Sequence, residues 1–125
     1  MSEQVTLKQA LDHAIAQHQC GNLDIAESIY DELLTHVPDH IDVLHLKGVV
    51  ANQKQNYKLA IELISKAISL IPEDSKEHPA FSTLHQNLAN AYSQDSNTEL
   101  AEESYKRSLE LNAENIDTKY NYSRL

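Results

Sequence analysis

Residues 7–40 and 41–74 align without a gap, and each stretch is 34 residues long. Both place a small residue at the eighth position (Ala14, Gly48), alanine at the twentieth (Ala26, Ala60) and proline at the thirty-second (Pro38, Pro72). A third copy, residues 82–115, carries Ala89 and Ala101 at the two small positions, Tyr105 at the twenty-fourth and Ala113 in place of the proline. A seven-residue insert, residues 75–81, separates copies two and three, and a fourth copy begins at Ile116 and reaches Leu125. Alanine and glycine together make up about 15% of average sequence, so six small residues at six positions arise by chance on the order of once in 100,000. A fixed period of this length implies stacked units rather than one mixed core, because a single unit cannot bury its apolar face alone.

The units read as pairs of helices. Apolar residues recur at helical spacing in Ile25, Ile29 and Leu33, and again in Ile61, Leu63, Ile64 and Ile68. Thr6 followed by Gln9 fits a capping box for the first helix. Asn22 and Asn56 stand where a side-chain oxygen can cap the second helix of their repeats, and Asn115 can do the same for the last segment. Pro38 and Pro72 stop the second helices. Only two glycines and three prolines occur, which suits helices better than the frequent turns of a strand-rich chain. Small residues at positions 8 and 20 let paired helices approach closely, with Ala60 expected against Gly48 and with Tyr30, Tyr57, Tyr92 and Tyr105 filling the space around such contacts. Cys20, the single cysteine, has no cationic neighbour to activate it and reads as a small packing residue.

This period and pattern resemble the tetratricopeptide repeat family over nearly the whole chain. The resemblance implies one all-α domain over residues 1–125: a right-handed superhelix of antiparallel helix pairs, with three repeats and a terminal or partial helix over residues 116–125. It also implies that the first helices line a concave groove. The inward positions in repeat one are then Lys8, Leu11, Asp12, Ile15, His18 and Gln19. In repeat two they are Asp42, His45, Leu46, Val49, Asn52 and Gln53, and in repeat three Thr83, Gln86, Asn87, Asn90, Ser93 and Gln94. The partial fourth repeat contributes Asp117, Tyr120, Asn121 and Arg124. Such a groove is rich in amides and nearly neutral, with an apolar patch of Leu11, Ile15, Leu46 and Val49 in its first half. His13 and Gln17 depart from the family's leucine and tyrosine, and polar residues there read as capping of an exposed end.

Nineteen acidic against ten basic side chains leave a net charge of −9. That balance disfavours nucleic acid and anionic lipid as partners. The polar N-terminal stretch lacks an apolar signal core, no apolar run approaches the length of a membrane span, and a lone thiol suits a reducing compartment, so the expected location is the cytoplasm. No phosphate-cradling glycine loop, nucleophile elbow or CxxC pair occurs, so neither enzymatic activity nor a cofactor is expected. His36 and His40 are four residues apart, but Pro38 between them breaks any shared helix, and no metal site is expected.

The expected function is a scaffold that binds a protein or an extended peptide. Asn and Gln offer both a donor and an acceptor and can grip a peptide main chain whatever its side chains. The string HQNLANAYSQ resembles repeats of the O-linked N-acetylglucosamine transferase superhelix, whose groove carries an asparagine ladder; Asn87 and Asn121 occupy the matching position, and Asp12 and Leu46 do not. The N-terminal repeats are similar to those that precede bacterial glycosyltransferase, methyltransferase or sulfotransferase domains, which implies an alternative role as the substrate-docking segment of a larger modifying enzyme. The clamp that holds acidic chaperone tails in related domains would fall on Lys8, Asp12, Leu46, Thr83 and Asn87, a set poor in cations. Tyr120, Tyr122 and Leu125 spread around the last helix, so a homo-dimer through that helix is a further expectation.

Overall fold

The computed structural model describes residues 6–125, so the first five residues of the expected domain, and of the polar N-terminal stretch, lie outside the described residues. Among the described residues seven α-helices run in order: α1 (Leu7–Gln19), α2 (Leu23–His36), α3 (Ile41–Gln53), α4 (Tyr57–Ser69), α5 (Ser82–Gln94), α6 (Thr98–Leu111) and α7 (Ile116–Ser123). Helices α1 and α2, α3 and α4, and α5 and α6 pack as antiparallel pairs, and each pair leans on the next through its second helix. The end of repeat two and the insert form two 3-10 turns, Glu73–Ser75 and Pro79–Phe81.

Local signals account for most boundaries. Thr6 Oγ1 accepts from the Gln9 amide and Gln9 Oε1 accepts from the Thr6 amide, both at 3.0 Å, closing the capping box. Asn56, Asn97 and Asn115 cap α4, α6 and α7 through their side-chain oxygens. Asn22 does not cap α2: its amide turns back and donates to Gln17 Oε1 at 2.8 Å. Each turn inside a pair contains one left-handed residue, at the fifteenth position of every repeat: Gly21 (φ 84°), Gln55 (φ 68°) and Ser96 (φ 64°).

The small positions sit at the helix crossings. Ala14, Ala26, Ala60, Ala89 and Ala101 are fully buried. Gly48 faces Ile64 first, with the carbonyl of Ala60 behind it. Tyr30 and Tyr105 are buried beside these contacts, whereas Tyr57 and Tyr92 are half-buried. Ile25 is 50% exposed, against the expectation that it shares the core stripe with Ile29 and Leu33. Spacing by four residues advances a helix by about 40° beyond a full turn, so Ile25 is rotated about 80° from Leu33 and leaves the core. Cys20 is exposed as the C-cap of α1, beyond the last packed turn, and is not a packing residue.

Repeat three closes on α7 through polar groups. The hydroxyls of Ser82, Ser108 and Thr118, all buried, form a chain with 2.8 Å between successive oxygens. Asn115 Nδ2 donates to Ser82 Oγ at 2.9 Å and to Gln86 Oε1 at 3.0 Å. This network fixes where α7 docks.

Candidate functional site

The first helices α1, α3, α5 and α7 present neighbouring faces, and side chains bridge each successive pair. His18 Nε2 meets Gln53 Oε1, tying α1 to α3. His45 Nε2 and Asn87 Nδ2 lie 2.8 Å apart, tying α3 to α5. Asn121 Nδ2 donates to Asn90 Oδ1 at 3.2 Å, tying α7 to α5. Several predicted groove residues therefore serve the joints between repeats. His45 is 9% exposed and does not line an open groove; burial, partly offset by the nearby Asp42 carboxylate, pushes its imidazole down to about 4. Gln86 is engaged by Asn115 and Thr118 in the α7 joint.

The remaining predicted residues fall into two regions. Toward the N-terminus, Leu11, Ile15, Leu46 and Val49 are half-buried, and Leu11 and Leu46 pack against the first core cluster. Lys8 lies 2.8 Å from Asp12, and this exposed pair is internally neutralised, with the Lys8 ammonium held above its usual range by the Asp12 carboxylate. Asp42 is exposed in the first turn of α3, where it favours the helix dipole.

Toward the C-terminus, Asn52, Asn90, Gln94 and Asn121 line a cleft of about 380 Å³, together with Ser93 and Arg124. Arg124 stacks its guanidinium 5.3 Å from the Tyr120 ring centroid. The lining is polar and carries one cation. Its composition suits a main chain of alternating donors and acceptors better than an apolar side chain.

Tyr105, on α6, lies outside the expected groove set, because the repeat pattern places second helices in the outer layer. It reaches between the first helices, and its hydroxyl donates to Asn90 Oδ1 at 2.6 Å. Tyr30 holds the same twenty-fourth position in repeat one, with its hydroxyl 3.5 Å from His18 Nδ1. This recurrence of tyrosine is the signal in the sequence that points to it. Repeat two has Ile64 there and supplies no hydroxyl. In that repeat the Oδ1 of Asn52, at the position matching His18, is enclosed with no hydrogen-bond partner among the described residues. An enclosed acceptor without a donor costs roughly 1–3 kcal/mol.

No cluster of three or more metal-ligating side chains occurs among the described residues. No helix among them is long and apolar enough to cross a membrane.

A comparison with curated protein sequences gives no significant match. Among solved structures, the chain is similar to an O-GlcNAc transferase mutant of Thermobaculum terrenum, with 26% identity, a TM-score of 0.85, and coverage of 98% of this chain but 22% of the transferase. It is similar to MamA from Desulfovibrio magneticus RS-1, with 20% identity, a TM-score of 0.81, and coverage of 97% of this chain and 64% of that one. It is also similar to the Yersinia enterocolitica type III secretion chaperone SycD, solved in complex with a peptide of the translocator YopD, with 20% identity, a TM-score of 0.77, and coverage of 98% and 88%. The chain thus spans less than two thirds of the MamA chain and under a quarter of the transferase. The family model described as tetratricopeptide repeat matches residues 39–114, more than half of the sequence, and the chain belongs to the tetratricopeptide repeat family.

Proposed function

We propose that this chain is a binding module rather than a catalyst, and that the cleft lined by Asn52, Asn90, Gln94 and Asn121 grips an extended peptide of a partner protein by its main chain. The observation that carries the reading is the convergence of these four amides on one open cleft. The amides are uncharged, so recognition depends on backbone spacing, with Arg124 favouring an acidic side chain at one end. The test is selection of peptides from a random display library against the immobilised chain, then calorimetry with a Q94A/N121A variant. Selected peptides should lose about tenfold or more in affinity while the circular dichroism spectrum is unchanged. Equal affinity for the variant, or no selection above background, overturns the reading. A K8A variant is the control and should bind the selected peptides as the parent does, because Asp12 already neutralises Lys8.

A second reading, the docking segment of a larger modifying enzyme, is favoured by the likeness to the transferase repeats. The two readings share the groove and differ in whether the parent protein joins it to an enzyme domain. Pairing of two copies through α7 rests on Ile116 and Tyr120, 76% and 58% exposed and one helical turn apart. Tyr122, by contrast, is half-buried and stacks on Tyr105 with ring centroids 5.6 Å apart. Sedimentation of the chain against an I116K/Y120K variant tests the pairing, which fails if both are monomers at high concentration.

A further inference from the structure

The internal repeat shows how this chain receives a helix. At repeat two, α2 packs on α3, and one of its side chains reaches the core cluster that α3 shares with α4. Leu34 of α2 packs against that cluster, which includes Leu44 of α3 and Leu63 and Ala67 of α4. Two ion pairs flank that contact: Asp31 with Lys47 at 2.7 Å, and Asp39 with Lys66 at 3.6 Å.

Shifting these residues back by one period of 34 places them on repeat one. Leu44 becomes Ala10, Leu63 becomes Ile29, and Ala67 becomes Leu33. Lys47 becomes His13 and Lys66 becomes Glu32. All five line a single open cleft of about 450 Å³ at the N-terminal end of the stack. The volume available to a visiting side chain is kept, because alanine and leucine have exchanged sides of the seam. Gln9, His13, Glu32 and His36 ring the cleft, and Ala10, Ile29 and Leu33 make its apolar floor.

We infer that this seam is a docking site for a single amphipathic helix of a partner protein, recognised by a leucine-sized anchor between Ala10, Ile29 and Leu33. The flanking residues state the charge preference. Where α2 presents Asp31 to Lys47, the partner helix presents an acceptor or carboxylate to His13. Where the chain presents Asp39 to Lys66, the partner presents a cation to Glu32, because the sign at that corner is reversed. The site is distinct from the amide-lined cleft, which lies at the other end of the stack.

The probe is a synthetic peptide with the sequence of residues 23–39 of this chain, the segment that packs on α3 at repeat two. It is used in its natural form and as D39K, and is titrated into the isotopically labelled full chain while backbone amide shifts are monitored. Both peptides should perturb α1 and α2, and D39K should bind roughly two- to fivefold more tightly, about what one exposed ion pair contributes. An E32K variant, changed at an exposed side chain so that the fold is kept, should reverse that preference. The inference is overturned if neither peptide perturbs the chain at millimolar concentration. It is also overturned if E32K leaves the preference unchanged, or if the perturbations lie on α7. Finally, self-association of the chain that is abolished by I29K would assign the seam to a second copy and overturn the inference as well.

Discussion

A β-carbon on Gly48 would stand 2.6 Å from Cγ1 of Ile64, closer than packed side chains come. Ile64 is fully buried, so it has no free direction in which to retreat. Replacing Gly48 with alanine should destabilise the chain by about 1–3 kcal/mol through overpacking, despite the higher helix propensity of alanine. Pairing G48A with I64V should recover part of the loss. Urea denaturation of the two variants measures both effects, and a G48A variant as stable as the parent would show that the second pair is not packed this way.

The three left-handed turn residues give an opposite prediction. Gln55 and Ser96 adopt a conformation that costs a residue with a β-carbon roughly 1–2 kcal/mol, while Gly21 adopts it freely. Q55G and S96G should each stabilise the chain by a few tenths to about 1 kcal/mol, once the greater freedom of glycine in the unfolded state is subtracted. G21A should cost about 1 kcal/mol, because the cost is in the backbone. That holds although nothing lies within 4 Å of its added carbon. Thermal unfolding of the three variants should order them accordingly.

Acid should act through His45. Its folded-state value of about 4 lies below the 6.5 of an unperturbed imidazole. Between those values the unfolded chain binds a proton that the folded chain refuses, so stability is full above about pH 6.5 and falls as the pH drops toward 4. The accumulated loss is on the order of 3 kcal/mol. An H45Q variant, which keeps a group able to reach Asn87, should show a flatter stability profile over that window. His85 is displaced in the same direction by burial and leaves a smaller slope in the variant. Denaturation midpoints at several pH values across this window provide the measurement.

The polar joint of α7 should be brittle. Ser108 bridges Ser82 and Thr118 from a fully buried position. S108A would remove one hydrogen bond from each of two buried hydroxyls, which keep Asn115 and Gln86 as partners, and should cost about 0.5–1.5 kcal/mol for each bond lost. Hydrogen exchange should show the loss concentrated in α7 and the adjoining turn of α5, because repeats couple only to their neighbours. A uniform loss over all helices would contradict that localisation.

The pairing of helices and the place of the small residues are legible in the sequence because both are periodic. Spacing announces Ala14, Ala26, Ala60, Ala89 and Ala101, and each is fully buried. What spacing cannot reveal is a residue's obligation to a neighbour far along the chain. His45 and Gln86 stand at groove positions but are taken up by Asn87 and by Asn115 with Thr118, and which amide pairs with which depends on the offset between repeats. Helix periodicity puts Tyr105 in the outer layer, since it gives the direction of a side chain but not its reach. Asn22 stands where a cap for α2 is expected, and a single-residue signal does not foresee that Gln17 competes for its side chain.

The three rungs His18–Gln53, His45–Asn87 and Asn90–Asn121 run along the inner edge of the stack, the same edge that carries the amide-lined cleft. They act as laces on one side of a coil. A peptide that competes for Asn90 or Asn121 must slacken the last lace, and the pitch of the coil there changes with it. On the peptide-binding reading, occupancy of the cleft and the spacing of the last two first helices are therefore set by the same two amides.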